Sequence, residues 1–92
     1  MITLSSKIRK NGFDYTLVCR GQRSCIYAQH VTPKLTCFEV FIIRVNKAKT
    51  INGKFIPEKE RFPADEDFGK YAWSYCDYES ALKKFNKLEG NE

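Results

Sequence analysis

This 92-residue sequence has no long apolar run, and its apolar stretches all fall far short of the ~20 residues that a membrane-spanning helix needs. The opening residues lack the apolar segment of a secretory signal peptide, and no lipidation motif is present. We therefore expect a cytoplasmic protein that does not contact a membrane. Repeats and low-complexity segments are absent too, and a hydrophobic content of 42% indicates one small folded domain over residues 1–92.

The short motifs of catalysis and nucleotide binding are also missing. The sequence has no P-loop, no Rossmann glycine pattern and no H-E-x-x-H zinc motif. The one histidine, His30, lies in no nucleophile signature, so a structural histidine is favoured over a catalytic dyad with a cysteine. Asp67-Phe68-Gly69 spells a kinase tripeptide, but the glycine-rich and catalytic loops of kinases are absent. We predict that the protein is not an enzyme.

Close cysteine pairs are absent as well. Cys19, Cys25, His30 and Cys37 are four potential zinc ligands, but their spacings differ from the C-x2-C pairs of structural zinc sites. In a cytoplasmic chain we expect these cysteines and Cys76 to remain free thiols, packed as small hydrophobic side chains. We therefore predict that the protein binds no metal and no cofactor.

Acidic residues are scarce in the first 54 positions, which hold two of them against ten basic residues. Residues 55–92 reverse the balance, with nine acidic and six basic side chains. The two parts carry +8 and −3, which sum to the net charge of +5. Such segregation indicates a surface that meets a negatively charged partner. The alternative is that the lysines only keep strand edges soluble.

Two alternating segments, residues 13–20 and 23–29, flank a two-residue turn that begins with glycine. A first-position glycine is typical of a type II′ hairpin turn. In the register that this turn imposes, Leu17 lies opposite Ile26 on the core side, and Tyr27 lies on the outer side.

Further along, residues 37–45 have apolar side chains on both faces, which predicts a central strand. The Asn-Gly pair at 52–53 predicts a second hairpin. Residues 70–76 alternate large aromatic and small side chains, and Asp77 is placed to cap a helix over 78–89. Together these elements predict an α+β fold, an antiparallel sheet of four to five strands with one C-terminal helix packed on one face.

The acidic residues concentrate before the last strand. Residues 57–63 are charged and bracketed by prolines, which predicts a surface loop. Residues 65–67 are all acidic and predict a single helical turn that ends at Gly69. With Glu58 and Glu60 nearby a divalent-metal site is conceivable, but acids that complement the dipole of a first helical turn are the favoured interpretation.

The predicted hairpins concentrate the positive charge. Two basic hairpins that project from a sheet could straddle a phosphate backbone. Their charges would neutralise phosphates and release counterions, which gives salt-dependent binding. Tyr27, and aromatic residues such as Phe55, would supply stacking surfaces for unpaired bases. The predicted nucleic-acid-binding residues are Arg20, Arg23, Lys47, Lys49, Lys54 and Tyr27.

Four stretches that together span most of the chain form a further pattern. They are Asn11-Gly12-Phe13-x-Tyr15-x-Leu17-Val18, Ile26-Tyr27-Ala28-Gln29, Phe38-Glu39-Val40-Phe41 and Phe62-Pro63-x-x-Glu66-Asp67-Phe68-Gly69-x-x-Ala72-Trp73. The combination resembles small bacteriophage and prophage proteins of unknown function, including those of gut Bacteroidales. The resemblance implies expression in the cytoplasm of a bacterial host and action by binding. It implies no functional residue.

Three hypotheses follow from the sequence. The first is a non-enzymatic phage-type binding protein whose basic N-terminal face contacts nucleic acid or a nucleic-acid-containing host complex. The second is a protein–protein module that inhibits or redirects a host factor, as an anti-defence protein does, through Tyr27, the other aromatic residues and the acidic segment 58–67. The third is a small virion or assembly component, which would form a homo-oligomer.

Overall fold

Alternating apolar and polar side chains fold much of this chain into strands. The computed structural model describes residues 1–91, which contain nine strands, one 3₁₀ turn at Asp65–Asp67 and one helix, α1, at Tyr78–Glu89. In chain order the strands are β1 (Lys7–Lys10), β2 (Phe13–Arg20), β3 (Ser24–Thr32), β4 (Leu35–Ile42), β5 (Arg44–Asn46), β6 (Lys49–Ile51), β7 (Lys54–Ile56), β8 (Lys59–Arg61) and β9 (Ala72–Tyr75).

The main sheet has five antiparallel strands in the order β1-β2-β3-β4-β9. With α1 packed against β3, β4 and β9, the predicted α+β fold is confirmed. Strand β4 lies between β3 and β9 and packs on both faces, as predicted for a central strand. It is shorter than predicted, because the main sheet ends at Ile42 and β5 begins a separate pairing with β8.

On one face of the sheet, α1 covers a core that includes Ile26 and Val40, both fully buried. The apolar stripe of the helix makes this contact, and its members are Ala81, Leu82, Phe85 and Leu88. Asp77 caps the helix by accepting a hydrogen bond from the Ser80 backbone N–H at 2.9 Å. The helix ends at Gly90, whose φ of 77° lies in the left-handed region, as expected for a C-terminal cap.

The opposite face of the sheet is covered by loops instead of a helix. Tyr27 and Phe41 stack there with ring centroids 5.7 Å apart. Phe62, from the segment after β8, packs edge-on against both rings, and Leu4 packs against the same cluster. The sheet is therefore buried on both sides over its central strands.

The first hairpin differs from its predicted register. Leu17 lies opposite Tyr27 instead of Ile26, and Ile26 pairs with Cys19. The register shifts between Leu17 and Cys19, so that Val18 is the extra residue of a β-bulge. The shift places Tyr27 on the same face as Leu17, and Tyr27 is buried because the segments that carry Leu4 and Phe62 cover that face.

The turn of this hairpin is one residue longer than predicted, since residues 21–23 separate the two strands. Its backbone is held by the carboxylate of Glu89, the last residue of α1. This carboxylate accepts hydrogen bonds from the N–H groups of Gln22 at 2.7 Å and Arg23 at 2.9 Å, and from the Ser24 hydroxyl at 2.6 Å. The longer turn therefore depends on a contact with the other end of the chain.

Two strands lie where the sequence predicted none. Asn11 and Gly12 have φ angles of 54° and 83°, which form a tight turn that returns β1 onto β2. The segment 57–63, predicted as a loop, contains β8, which pairs with β5. Both elements consist largely of charged side chains, so they lack the apolar alternation that marks a strand.

The second hairpin forms as predicted. Asn52 and Gly53 adopt φ angles of 51° and 78°, and strands β6 and β7 pair on either side of them. This pair is separate from the main sheet, and its two strands pack on each other. We call residues 47–56 the basic arm.

Candidate functional site

The basic arm exposes positive charge without compensating acids. Lys47, Lys49 and Lys54 are all exposed, and no acidic residue occurs anywhere in residues 40–57. Among the described residues, none of these three lysines takes part in an ion pair. Their ammonium groups are therefore free to contact an external anion.

The register of the arm places its side chains on two distinct faces. Lys49 pairs with Ile56, and Ile51 pairs with Lys54, so both lysines project from the same face of the ribbon. Phe55 pairs with Thr50 on the other face and is 65% exposed. The arm thus presents a pair of cations on one side and an exposed aromatic ring on the other.

Arg23 lies close to the root of this arm. Its backbone carbonyl accepts a hydrogen bond from the Ile43 N–H at 2.8 Å, one residue before β5 begins. The Arg23 side chain is exposed and, within residues 1–91, belongs to no ion pair. The structure therefore places the backbone of Arg23 beside the segment that leads into β5, although the two are far apart in sequence.

Arg20 does not belong to this free positive surface. Its guanidinium donates two hydrogen bonds to the carboxylate of Glu60, at 2.8 and 2.5 Å. The Glu60 side chain is almost fully buried, and it also accepts from the Leu4 N–H at 2.9 Å. The hydrogen bond from Arg20 holds the pKa of Glu60 below its usual range. The prediction of Arg20 as a phosphate contact is corrected, because its charge is already neutralised inside the protein.

The prediction of Tyr27 as a stacking surface for bases is also corrected. Its side chain has no exposed surface, lies against Phe41 and Phe62, and donates its hydroxyl to the Ser5 carbonyl at 2.6 Å. Burial raises the pKa of Tyr27 to about 12. A fully buried ring offers no face on which a base can stack. Phe55 is the aromatic side chain that is open to a base at the arm.

A buried aspartate, Asp67, holds together β5 and β8, the two strands at the root of the arm. The sequence did not indicate this role. The Asp67 carboxylate binds Arg61 at 2.7 Å and Arg44 at 3.2 Å, and it accepts from the Ala64 N–H at 2.9 Å. The Ala64 hydrogen bond and the Arg61 contact lower the pKa of Asp67. Since Arg44 lies in β5 and Arg61 in β8, this carboxylate links the two strands at the root.

Three of the eleven acidic residues therefore have distant partners inside the molecule. Glu60 and Asp67 neutralise arginines of the core and of the arm root, and Glu89 holds the first turn. The expected first-turn position of residues 65–67 is confirmed, because they form the 3₁₀ turn. No sequence pattern could have paired these acids with their partners, which are up to 67 residues distant.

A smaller positive patch lies on α1, where the Lys84 ammonium is 4.0 Å from the ring centroid of Trp73. Lys83 and Lys87 are exposed on the same helix. Tyr75 packs against the core beneath α1. This patch is flanked by acids of the helix, which the basic arm lacks.

The four cysteines are free thiols, and Cys25 is completely buried. Across residues 1–91, no three His, Cys, Asp or Glu side chains converge in a way that would hold a metal ion. Over the same residues, no helix has the length and apolar character needed to cross a membrane.

Comparison with known proteins gives no relative: no family model, no curated protein and no solved structure matches this chain.

Proposed function

We propose that the protein is a non-enzymatic nucleic-acid-binding protein whose basic arm, with Arg23 at its root, contacts the phosphate backbone. The observation that carries this proposal is the exposed, acid-free ribbon in which Lys47, Lys49 and Lys54 are unpaired among the described residues. A two-stranded ribbon has the width to enter the major groove of a duplex. The net charge of +5 favours the approach of any polyanion.

The ribbon also suits a single strand. Phe55 lies on the face opposite Lys49 and Lys54, and its ring is largely exposed. Base stacking on an exposed aromatic ring, beside lysines that follow the backbone, is the usual arrangement in proteins that bind single strands. A strand that crosses the edge of the ribbon would then place its phosphates against the two lysines and one base on the ring.

Salt dependence gives the proposal a quantitative test. Arg23 and the three arm lysines would neutralise four phosphates. We expect log K to fall with log salt with a slope of about −3.6 for a duplex and about −2.8 for a single strand. Fluorescence anisotropy with labelled oligonucleotides, from about 50 mM to about 200 mM salt, measures both slopes. Binding that is absent at low salt, or that does not weaken as salt rises, contradicts the proposal.

A protein partner is the second candidate, and exposed apolar side chains on the arm favour it. Phe55 is 65% exposed and Ile51 is 45% exposed. Two of the five acids of segment 58–67, Glu60 and Asp67, are committed to internal arginines, which leaves Glu58, Asp65 and Glu66 for such a contact. A pull-down from host lysate, with and without nuclease, separates the candidates, because a protein partner survives nuclease treatment.

The resemblance to bacteriophage proteins stays a prediction. It adds the cytoplasm of a bacterial host as the setting of the proposed binding. The virion or assembly hypothesis also stays open to test, and size-exclusion chromatography of the purified protein would reveal the self-association that it requires.

A further inference from the structure

The sheet face opposite α1 contains a small pocket that the proposed function does not use. It lies beside the first hairpins and the segment after β8, and its volume is about 150 Å³. Four aromatic rings and two carboxylates line it, namely Phe13, Tyr15, Phe62, Phe68, Glu39 and Asp65. None of these residues belongs to the basic arm.

Glu39 is the unusual member of this pocket. It is only 6% exposed, and its Oε2 atom is buried without a hydrogen-bond partner among the described residues. Burial raises the pKa of Glu39 to about 7, although the charge of Lys10 opposes the shift. A buried carboxylate oxygen without a partner is costly, so proteins rarely keep one that has no function.

The surrounding rings complement this carboxylate. Tyr15 and Phe62 meet edge to face with centroids 4.9 Å apart, and Phe68 is 37% exposed at the rim. Aromatic ring faces attract organic cations, and a carboxylate beside them adds an ion pair. Rings and buried carboxylate together favour a positively charged group over a neutral or negative one.

An ammonium group already lies at the rim. The Lys10 Nζ is 5.3 Å from the ring centroid of Phe62 and donates to the Pro63 carbonyl at 2.7 Å. Lys10, Asp65 and Glu39 are the charged groups that line the pocket, and the Gln29 amide there is bound to the Tyr15 hydroxyl at 3.1 Å. The ammonium of Lys10 is thus bonded to a carbonyl at the rim and leaves Glu39 Oε2 without a partner.

The size of the pocket limits its ligand. Its volume is about five times the ~30 Å³ that one water molecule occupies in the liquid. It is smaller than the roughly 300–1,000 Å³ of pockets that hold drug-sized ligands. A single cationic head group fits these dimensions, whereas a nucleotide does not.

We propose that this pocket binds a small organic cation, an alkylammonium or guanidinium group, with Glu39 as its ion-pair partner and the rings of Tyr15, Phe62 and Phe68 as its walls. The free Oε2 of Glu39 accepts a hydrogen bond from the cation. Phe68, at the rim, closes over the alkyl or methyl part. Lys10 competes for the same rim and weakens binding.

The test is an NMR titration of the full chain with methylammonium and guanidinium chloride at constant ionic strength, with sodium chloride as the reference. We expect saturable amide shifts near residues 10–15, 39 and 62–68 with a dissociation constant in the millimolar range. Binding should be stronger at about pH 8 than at about pH 5, because Glu39 is ionised at the higher pH. Shifts that equal those of sodium chloride would overturn the proposal.

Variants assign the binding to Glu39. Glu39→Gln should weaken it at least about tenfold, because a charged hydrogen-bond acceptor is lost. Glu66→Gln removes the same charge from an exposed neighbour and should leave it unchanged. At about pH 9, where Glu39 stays ionised without the charge of Lys10, Lys10→Met should tighten binding, and this gain keeps the proposal testable if Glu39→Gln disturbs the fold. Equal weakening by the two glutamine variants, or weakening by Lys10→Met, would contradict it.

The same titration identifies the source of the cation. Nα-acetyl-lysine methylamide carries the alkylammonium group as a protein side chain does, and methylammonium carries it as a free amine. Tighter binding of the lysine derivative indicates a side chain of a partner protein, and tighter binding of the free ion indicates a small-molecule ligand.

Discussion

The guanidinium of Arg20 and the carboxylate of Glu60 form two hydrogen bonds, at 2.8 and 2.5 Å, across 40 positions of sequence. Arg20 ends β2 and Glu60 lies in β8, so this pair ties the first hairpin to the strand that anchors the basic arm. An arginine that looks available for phosphate in the sequence is a structural residue in the folded protein.

Removing one member of this pair should destabilise the fold. We expect Arg20→Ala to lower the free energy of unfolding by about 1–3 kcal/mol, because it leaves a buried carboxylate, while partial exposure of Arg20 screens the pair. Urea denaturation measures the loss. Glu60→Gln in the Arg20→Ala background should recover part of it, and strict additivity of the two changes would contradict the coupling.

The Arg20–Glu60 pair also makes the stability of the protein depend on pH in the acid range. The pKa of Glu60 is lowered in the folded state, so its contribution is present above its unfolded pKa of about 4.3 and is lost as pH falls through the folded pKa. Unfolding of Arg20→Ala should therefore depend less on pH in the acid range than unfolding of the wild type.

We expect Glu39 to give the stability of the protein the opposite pH dependence. Its pKa is raised to about 7 in the folded protein, so between about pH 4.3 and pH 7 the folded state binds more protons than the unfolded state. Stability should therefore fall as pH rises through this range. We expect Glu39→Gln to stabilise the protein by only about 1 kcal/mol at about pH 5 and by about 2–4 kcal/mol at about pH 8.

Urea unfolding of Glu39→Gln and Glu66→Gln at both pH values checks this prediction. Glu66 is exposed, and its substitution should change stability little at either pH. A stabilisation by Glu39→Gln that is the same at both pH values would show that charge at Glu39 is not its cause.

Gly21 and Glu89 form another long-range contact. A Cβ atom at position 21 would overlap the Glu89 carboxyl group, which is held by Gln22, Arg23 and Ser24. We expect Gly21→Ala to cost about 1–3 kcal/mol, since the carboxylate must give up hydrogen bonds to make room. The same substitution in a Glu89→Ala background should cost much less, as a thermal or urea double-mutant cycle would show.

Substitution of Phe55 distinguishes single-strand binding from duplex binding. Its ring is exposed and contributes little to the core, so Phe55→Ala should leave stability nearly unchanged. We expect this variant to weaken single-strand binding by about 1–3 kcal/mol through loss of one stacked base, with a smaller effect on a duplex. Fluorescence anisotropy measures both, and equal losses on the two substrates would argue against stacking.

Local chemistry explains which parts of the fold were predictable. The Asn52-Gly53 turn, the Asp77 cap and the Gly90 stop each act over a few residues, so the sequence alone identifies them. Apolar residues on both faces of one segment were enough to place β4 inside the sheet. These features together define an antiparallel sheet with a C-terminal helix.

The errors arise where distant residues decide local structure. Tyr27 was predicted to lie on an outer face, but the distant residues Leu4 and Phe62 cover that face and make Tyr27 part of the core. The partner of Arg20 lies 40 positions away, and no spacing rule connects the two. Of the six predicted site residues, Arg23 and the three arm lysines are exposed, because they lie in a hairpin turn and in an arm that stands apart from the core.

Salt-dependent binding by two charge-matched variants tests the central claim most directly. One variant is Lys47→Gln/Lys49→Gln/Lys54→Gln in the basic arm, and the other is Lys34→Gln/Lys83→Gln/Lys87→Gln, which removes three exposed lysines elsewhere. We expect the slope of log K against log salt to become shallower by about 2–3 for the arm variant and to change little for the control. Equal changes in the two variants would show that binding follows net charge alone and would contradict a site at the arm.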